Sequence, residues 1–281
     1  MTGEVELGWA GMRDGVALRT RSWWQATAAP ARATILLVHG LGEHAGRYAH
    51  VARSLNDRGF DVRAYDHFGH GESPGKRGTI TTPDRLLDDL AEMVDRARAA
   101  MPAGQPLVLL GHSMGGAVAA DFVARGLRPV QGLVLSSPAL DAGMNPIQRG
   151  LAALLTRVWP GLAIGNGLPA EGISHDPGEV AAYKADPLVH DRISGRLAHY
   201  IASAGPRVLA QATAWRTPTL LLYAGADRLV APQGSRRFAA LAPRGVLAAR
   251  EFPSHYHELF NEIERAQVLD ALHAWLDARF P

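Results

Sequence analysis

Four short, almost wholly apolar runs limit this chain more than anything else in it: "TILLV" at 34–38, "PLVLL" at 106–110, "GLVLSS" at 132–137 and "TLLLYA" at 219–224. A strand with one face in water alternates apolar and polar side chains. A continuous apolar strand needs cover on both faces, which parallel sheets flanked by helices provide. Helical patterns fill the gaps. "RYAHVARSLNDRG" reads as a helix closed by Gly59, and Thr82-Pro83-Asp84 opens one with Leu86, Leu87, Leu90, Met93, Val94 and Ala97 on a single face. The tail carries Val268, Leu269, Leu272, Trp275 and Leu276 on one face of a closing helix. "VALRTRSWW", after the turn signal Arg13-Asp14-Gly15, reads as the second arm of an opening hairpin, and "FDVRAYDHFGHG" as a strand and loop. Strand and helix alternate, so the expected class is α/β with a mostly parallel central sheet.

One segment interrupts the rhythm. From about Asp141 to Gly205 no strand pattern is visible, and "NPIQRGLAALLTRVWPGLAIGNGLP" places Ile147, Leu151, Leu154, Leu155, Val158 and Trp159 at helical spacing before drifting through glycine and proline. The expected organisation is a core at 1–140, a helical cap at 141–205 inserted late in the sheet, and the rest of the core at 206–281.

Composition excludes several functions. With 29 basic and 27 acidic side chains the net charge is only +2, and no Lys/Arg run exists to follow a phosphate backbone, so no nucleic-acid partner is expected. The absence of cysteine removes disulfides, thiolate nucleophiles and Cys-based metal sites, and suits a reducing compartment. No basic start followed by an apolar stretch marks a secretory signal, and the apolar runs are too short to span a bilayer. A soluble cytoplasmic protein is expected, with peripheral contact at a membrane surface.

Chemistry enters at "LVLLGHSMGGAVAA", 107–120, where a buried strand runs into a lone serine and then directly into an alanine-rich helix. A serine on such a turn has its hydroxyl pushed above the sheet edge, in a backbone that only small neighbours tolerate. Gly111, Gly115 and Gly116 supply the room, and the helix aims free N–H groups at the place where an oxyanion would form. Ser113 is therefore the candidate nucleophile.

A serine nucleophile needs a base, and the base needs a carboxylate, in the chain order Ser, Asp or Glu, His for this kind of fold. Asp227 in "AGADRLVAP" ends a late strand. Thirty residues on, "REFPSHYHELFNE" offers both His255 and His257. Their spacing does not separate them, and no HExxH pattern or carboxylate cluster supports a metal. The early loop "LLVHGLGEHAGRY" suits a second oxyanion donor, which gives the backbone amides of Leu41 and Met114.

The stretches "HGLGEHAGRY", "DHFGHGESPGKRG", "GHSMGG", "GADRLVAP" and "YHELFNE" resemble the monoacylglycerol lipases of the α/β-hydrolase superfamily, particularly their bacterial branch. The similarity covers nearly the whole chain, with "AYKADPLVH" similar to the family's cap. It implies an α/β-hydrolase fold and cleavage of monoacylglycerol to glycerol and fatty acid, with no cofactor and no metal. A lysophospholipase or broad carboxylesterase would use the same triad. A proline-type aminopeptidase and an inactive binding protein of this fold are the more distant alternatives. The family's Tyr-His-Glu/Val-Leu motif selects His257 over His255. The resemblance also implies roles beside the oxyanion loop for Glu43 and Arg47, and near a glycerol pocket for Tyr183. Asp66, His67 and His70 are expected to hold turns by hydrogen bonds. The implied partner is a small lipid ester, met at a membrane or micelle surface through the cap.

Overall fold

The computed structural model describes residues 5–27, 29–141, 143, 150 and 156–281. Eight strands form one sheet in the order β1-β2-β4-β3-β5-β6-β9-β10. The hairpin of β1 (Glu6–Gly11) and β2 (Ala17–Trp23) is antiparallel, and β2 also runs antiparallel to β4 (Asp61–Tyr65). From β4 onward β3 (Thr34–Val38), β5 (Leu107–His112), β6 (Gly132–Ser136), β9 (Thr219–Ala224) and β10 (Leu247–Phe252) pair in parallel.

Successive side chains of the central strands serve two cores. Leu36, Val38, Leu107, Leu109, Leu133 and Leu135 face helices α2 (Arg85–Ala100) and α3 (Ser113–Ala124). Ile35, Leu37, Val108, Leu110, Val134 and Leu222 face α1 (Ala49–Asn56) and the final helix, whose Val268, Leu272 and Leu276 are fully buried. This is why those strands lack polar alternation: burying each such side chain stabilises the fold by roughly 1.5–3 kcal/mol, and both faces contribute.

The region between β6 and β9 differs from expectation. It contains a small antiparallel pair, β7 (Ala163–Gly165) with β8 (Arg192–Ser194), around α4 (Pro177–Ala185). Strands of three residues are too short to leave a period-two signature. The expected boundary at 205 falls inside α5 (Gly195–Gln211), whose Leu197, Tyr200, Ala204 and Val208 are buried against the core. The inserted segment therefore leaves the core and rejoins it near Ser194, which caps α5 by accepting from the Leu197 N–H. Ile147, Leu151, Leu154 and Leu155 lie outside the described residues. α6 (Pro232–Leu241) and α7 (Arg265–Arg279) complete the fold.

Two sets of contacts fasten the insertion over the carboxyl ends of the strands. On one side the His190 N–H donates to Gly42 O and the Ser194 N–H to Gly78 O, each at 2.8 Å, and His44 Nε2 pairs with Asp186 at 2.8 Å. On the other, the Glu258 N–H donates to Ile173 O and Ser174 Oγ donates to Asn261 O, both at 2.8 Å.

Candidate active site

Ser113 occupies the junction of β5 and α3 with φ at +53°, a left-handed conformation that non-glycine residues adopt only under constraint. The constraint is packing. A Cβ on Gly111 would lie 2.5 Å from Gly115 O, and one on Gly116 would lie 2.9 Å from Pro138 Cβ. One on Gly115 would run into the carbonyl oxygens of Val38 and His39. The small residues thus let α3 start directly against β3 and β5, and its first turn leaves the Met114 N–H without a helical partner.

His257 completes a relay with Ser113. Its Nε2 lies 2.8 Å from Ser113 Oγ and its Nδ1 lies 2.7 Å from Asp227 Oδ2. The other oxygen of Asp227 accepts the Leu229 and Val230 N–H groups at 2.8 and 2.9 Å, so its own loop fixes the carboxylate. Burial alone would lower the His257 pKa, but the charge of Asp227 outweighs it and the imidazole is raised above its ordinary value. Burial likewise opposes ionisation of Asp227, and the facing His257 more than offsets it, leaving that carboxyl depressed. His255, two residues earlier, is buried with its ring 5.0 Å from that of Phe252 and does not reach Ser113 or Asp227.

The early loop is set by hydrogen bonds at both ends of one residue. The Gly40 N–H donates to Glu43 Oε1 at 2.6 Å, and Gly40 O accepts from His39 Nδ1 at 2.8 Å. His39 Nε2 accepts the His67 N–H at 2.9 Å, which fixes the proton on Nδ1. A trans peptide sets its C=O and N–H in opposite directions, so with Gly40 O turned to His39 the Leu41 N–H points away from that ring. Burial, then the neighbouring His70, holds the His39 pKa well below its usual value, which keeps this donor neutral.

Glu43 and Arg47 belong to a buried cluster that also contains Glu258 and Tyr48. Arg47 pairs with Glu43 at 2.9 Å and grips Glu258 with two bonds of 2.6 and 2.8 Å, while Tyr48 donates to Glu43 at 2.6 Å. Burial raises the Glu43 carboxyl above its ordinary value. Burial would do the same to Glu258, but the Arg47 guanidinium drives that carboxyl down to about 2. The ring of Tyr183, from α4, lies over the Arg47 guanidinium at 4.8 Å.

A cavity of about 40 Å³ sits over Ser113, with Leu41, Glu43, His257 and Glu258 on the core side and Asn166, Leu168, Ile173 and Tyr183 on the cap side. Arg47 does not line it. No described residue hydrogen-bonds the Tyr183 hydroxyl.

The nearby loop is partly as expected. Asp66 braces its turn by accepting the Ala45 N–H at 2.8 Å and the Glu72 N–H at 2.9 Å. His67 holds the turn through its backbone alone: its N–H donates to His39 Nε2 at 2.9 Å and its carbonyl accepts the His70 N–H at 3.0 Å, while among the described residues neither ring nitrogen has a partner. Glu258, Tyr48, His39 and Asn166 escaped the sequence reading. Glu258 stands beside His257 in the chain, but its partner Arg47 is 211 positions away, and spacing carries no trace of that.

A strained serine at a strand–helix elbow, a histidine bridging it to an aspartate, and an eight-stranded sheet with an insertion over its strand ends together define an α/β-hydrolase. The family model described as "Serine aminopeptidase, S33" matches residues 29–264. A monoacylglycerol lipase of Mycolicibacterium smegmatis is 37% identical over 248 residues, 87% of this chain and 88% of that protein. The monoglyceride lipase of Homo sapiens is 33% identical over 272 residues, 95% of this chain and 88% of its own. The crystal structure of Paleococcus ferrophilus monoacylglycerol lipase superimposes with a TM-score of 0.84 at 35% identity, covering 93% of this chain and 99% of that one. The chain belongs to the serine aminopeptidase S33 family of α/β-hydrolases, on the side occupied by the monoacylglycerol lipases.

Proposed function

We propose that this protein is a carboxylic ester hydrolase that cleaves monoacylglycerol to glycerol and a fatty acid through an acyl-enzyme on Ser113. The observation that carries the reading is the continuous relay from Asp227 through His257 to Ser113 Oγ, with bonds of 2.7 and 2.8 Å. Ser113 Oγ attacks the ester carbonyl as His257 Nε2 takes its proton. Asp227 fixes the imidazole tautomer and stabilises the imidazolium. The Leu41 and Met114 amides receive the oxyanion, and one such donor is worth about 2.7–4 kcal/mol in serine hydrolases. His257 then protonates the leaving alcohol, and water repeats the sequence on the acyl-enzyme. Three relatives named as monoacylglycerol or monoglyceride lipases support the substrate class.

In this reading Tyr183, which lines the cavity and whose hydroxyl has no partner among the described residues, meets the polar side of the ester. Glu43 and Arg47 act from beneath, one on the Gly40 peptide and the other under the Tyr183 ring. The cap reads as the roof over one acyl chain and as the contact with a lipid surface. Val158, Trp159, Leu162, Ile164 and Leu168 expose large apolar area there, Trp159 at 61%. Among the described residues no helix is long and apolar enough to cross a membrane, so the contact is peripheral.

The family description raises aminopeptidase activity as the second reading, and Glu43 and Glu258 do present carboxylates at the cavity. Each of their four oxygens already accepts from Arg47, Tyr48, the Gly40 N–H or Asn261, so a substrate ammonium would have to displace a bond that holds the two loops. The test is a turnover panel of mono-, di- and triacylglycerols, lysophospholipids, graded p-nitrophenyl esters and amino-acid anilides. Monoacylglycerols should lead, with kcat/KM rising with chain length to a plateau. Triolein turned over as fast as monoolein, lysophosphatidylcholine preferred to monoolein, or anilides preferred to esters would each overturn the assignment.

A further inference from the structure

The loop that carries His257 and the loop that carries Gly40 and Leu41 come from opposite ends of the chain, and one guanidinium joins them. Glu258 is 6% exposed and its carboxylate is fully occupied: Oε1 accepts from Arg47 at 2.6 Å, and Oε2 accepts from Arg47 and from Asn261 Nδ2, both at 2.8 Å. Its backbone N–H is held by Ile173 O of the cap, and its carbonyl accepts the Asn261 N–H at 2.8 Å. The residue next to the general base is thus fixed at its backbone and at its side chain. Arg47 then passes to Glu43 at 2.9 Å, and Glu43 to the Gly40 N–H at 2.6 Å.

Stability alone gives little reason to keep such a cluster. Buried ion pairs are offset by desolvation, and apolar replacements of similar volume often match or exceed them. What the arrangement does supply is register. A planar guanidinium gripping a carboxylate with two parallel bonds sets distance and angle together, which a single hydrogen bond does not.

We propose that Glu258 is a positioning residue for the hydrolytic reaction: through Arg47 and Glu43 it holds the His257 loop in register with the Gly40–Leu41 loop, so that the base and the oxyanion donor meet the same carbonyl. The proposal rests on the hydrolase reading above. It also has an electrostatic side. The groups facing His257 are Asp227, Glu258 and Glu43, with His112 opposite, its ring 4.8 Å away, and Arg47 behind the two glutamates. Glu258, and after it Glu43, favour the imidazolium formed during proton transfer.

The test compares wild type with Glu258→Gln and Asn261→Ala, measured per active site titrated with a fluorophosphonate so that unfolded protein is not counted. The glutamine keeps the shape and one acceptor for Arg47 but removes the charge. Its kcat on monoolein should fall about 10- to 100-fold, the scale expected when reacting groups are misplaced by up to about 1 Å. KM should change far less, and the acid limb of the pH profile should move to lower pH. Asn261→Ala loosens the same carboxylate without unpairing a charge and should give a smaller loss of kcat in the same direction. The fluorophosphonate labelling rate should fall in parallel. Wild-type kcat and an unmoved pH profile in Glu258→Gln, with only the melting temperature lowered, would reduce Glu258 to a structural brace. If instead wild type itself fails to label, or Ser113→Ala remains active, the hydrolase reading fails rather than this one.

Discussion

Gly115, in the first turn of α3, lies directly beneath the end of β3, so close that a methyl group there would overlap the Val38 and His39 carbonyl oxygens. Neither strand nor helix can retreat, because both are fixed in the sheet core. Gly115→Ala should therefore cost more than about 3 kcal/mol and greatly reduce the yield of folded protein. Gly245→Ala, where a Cβ meets nothing within 4 Å, is the control and should melt as wild type does. Equal melting temperatures for the two variants would remove the packing explanation of the elbow.

Ser113 holds φ at +53°, and its strain is separable from its chemistry. Ser113→Ala and Ser113→Gly should both lose roughly 10⁴-fold or more in turnover. The glycine variant should be the more stable of the two by about 1 kcal/mol, since the left-handed region costs L-residues about that much. Denaturant titration of the pair checks it, and a more stable alanine variant would count against stored strain.

His257 and His255 should separate cleanly. His257→Ala removes the group 2.8 Å from Ser113 Oγ and should cost nearly as much activity as losing the serine. His255 packs against Phe252, and His255→Ala should lower stability by about 1–3 kcal/mol while keeping most of kcat. Comparable kinetic losses at both positions would overturn the assignment.

The pH dependence follows from the raised pKa of His257 and the depressed pKa of Asp227. The base acts only when neutral, so kcat/KM should fall as pH drops through a value raised above that of an unperturbed histidine. Asp227→Asn removes the charge that raises His257, so the limb should move to lower pH while kcat drops about 10⁴-fold. Stability has the opposite sign on the histidine side. A folded-state pKa above the unfolded one contributes fully below the unfolded value and is lost as pH rises through the folded value. Asp227's contribution is present above its unfolded value and lost as pH falls below it. Melting curves of wild type and His257→Gln across this range should therefore converge as pH rises.

The exposed apolar residues of the cap predict a weak, reversible association with lipid. Each large apolar side chain withdrawn from water gains roughly 1.5–3 kcal/mol. Trp159→Ser combined with Leu162→Ser and Val158→Ser, none of which lines the cavity over Ser113, should abolish flotation with anionic vesicles and leave hydrolysis of a soluble p-nitrophenyl ester unchanged. Absence of wild-type flotation at low salt would remove the surface claim without touching the esterase.

Much of the site was legible because its signals are local. The serine elbow announces itself through Gly111, Gly115 and Gly116, and the strand-terminal Asp227 through its Gly-Ala-Asp turn. The two histidines could not be separated by spacing, and the resemblance to known lipases was needed to prefer His257. The geometry places that residue, and not its neighbour, between Ser113 and Asp227. The short strands β7 and β8 leave no period to read, and no residue pattern marks Ser194, where α5 begins and the chain returns to the core.

Sequence by itself determined which side chains must be buried on two faces, and hence the layered sheet. It also determined where the chain can turn sharply enough to lift a serine above that sheet. These are properties of neighbouring residues, and period and steric size express them directly. Only the tertiary structure decided that Glu258 closes on Arg47, that His39 turns the Gly40 carbonyl aside, and that Tyr183 comes to rest over a guanidinium from α1's leading turn. Those pairings join residues between one and more than two hundred positions apart. Each is specified by where the whole sheet and cap bring the backbone, because a charge or a carbonyl carries no mark in the chain of the partner it will meet.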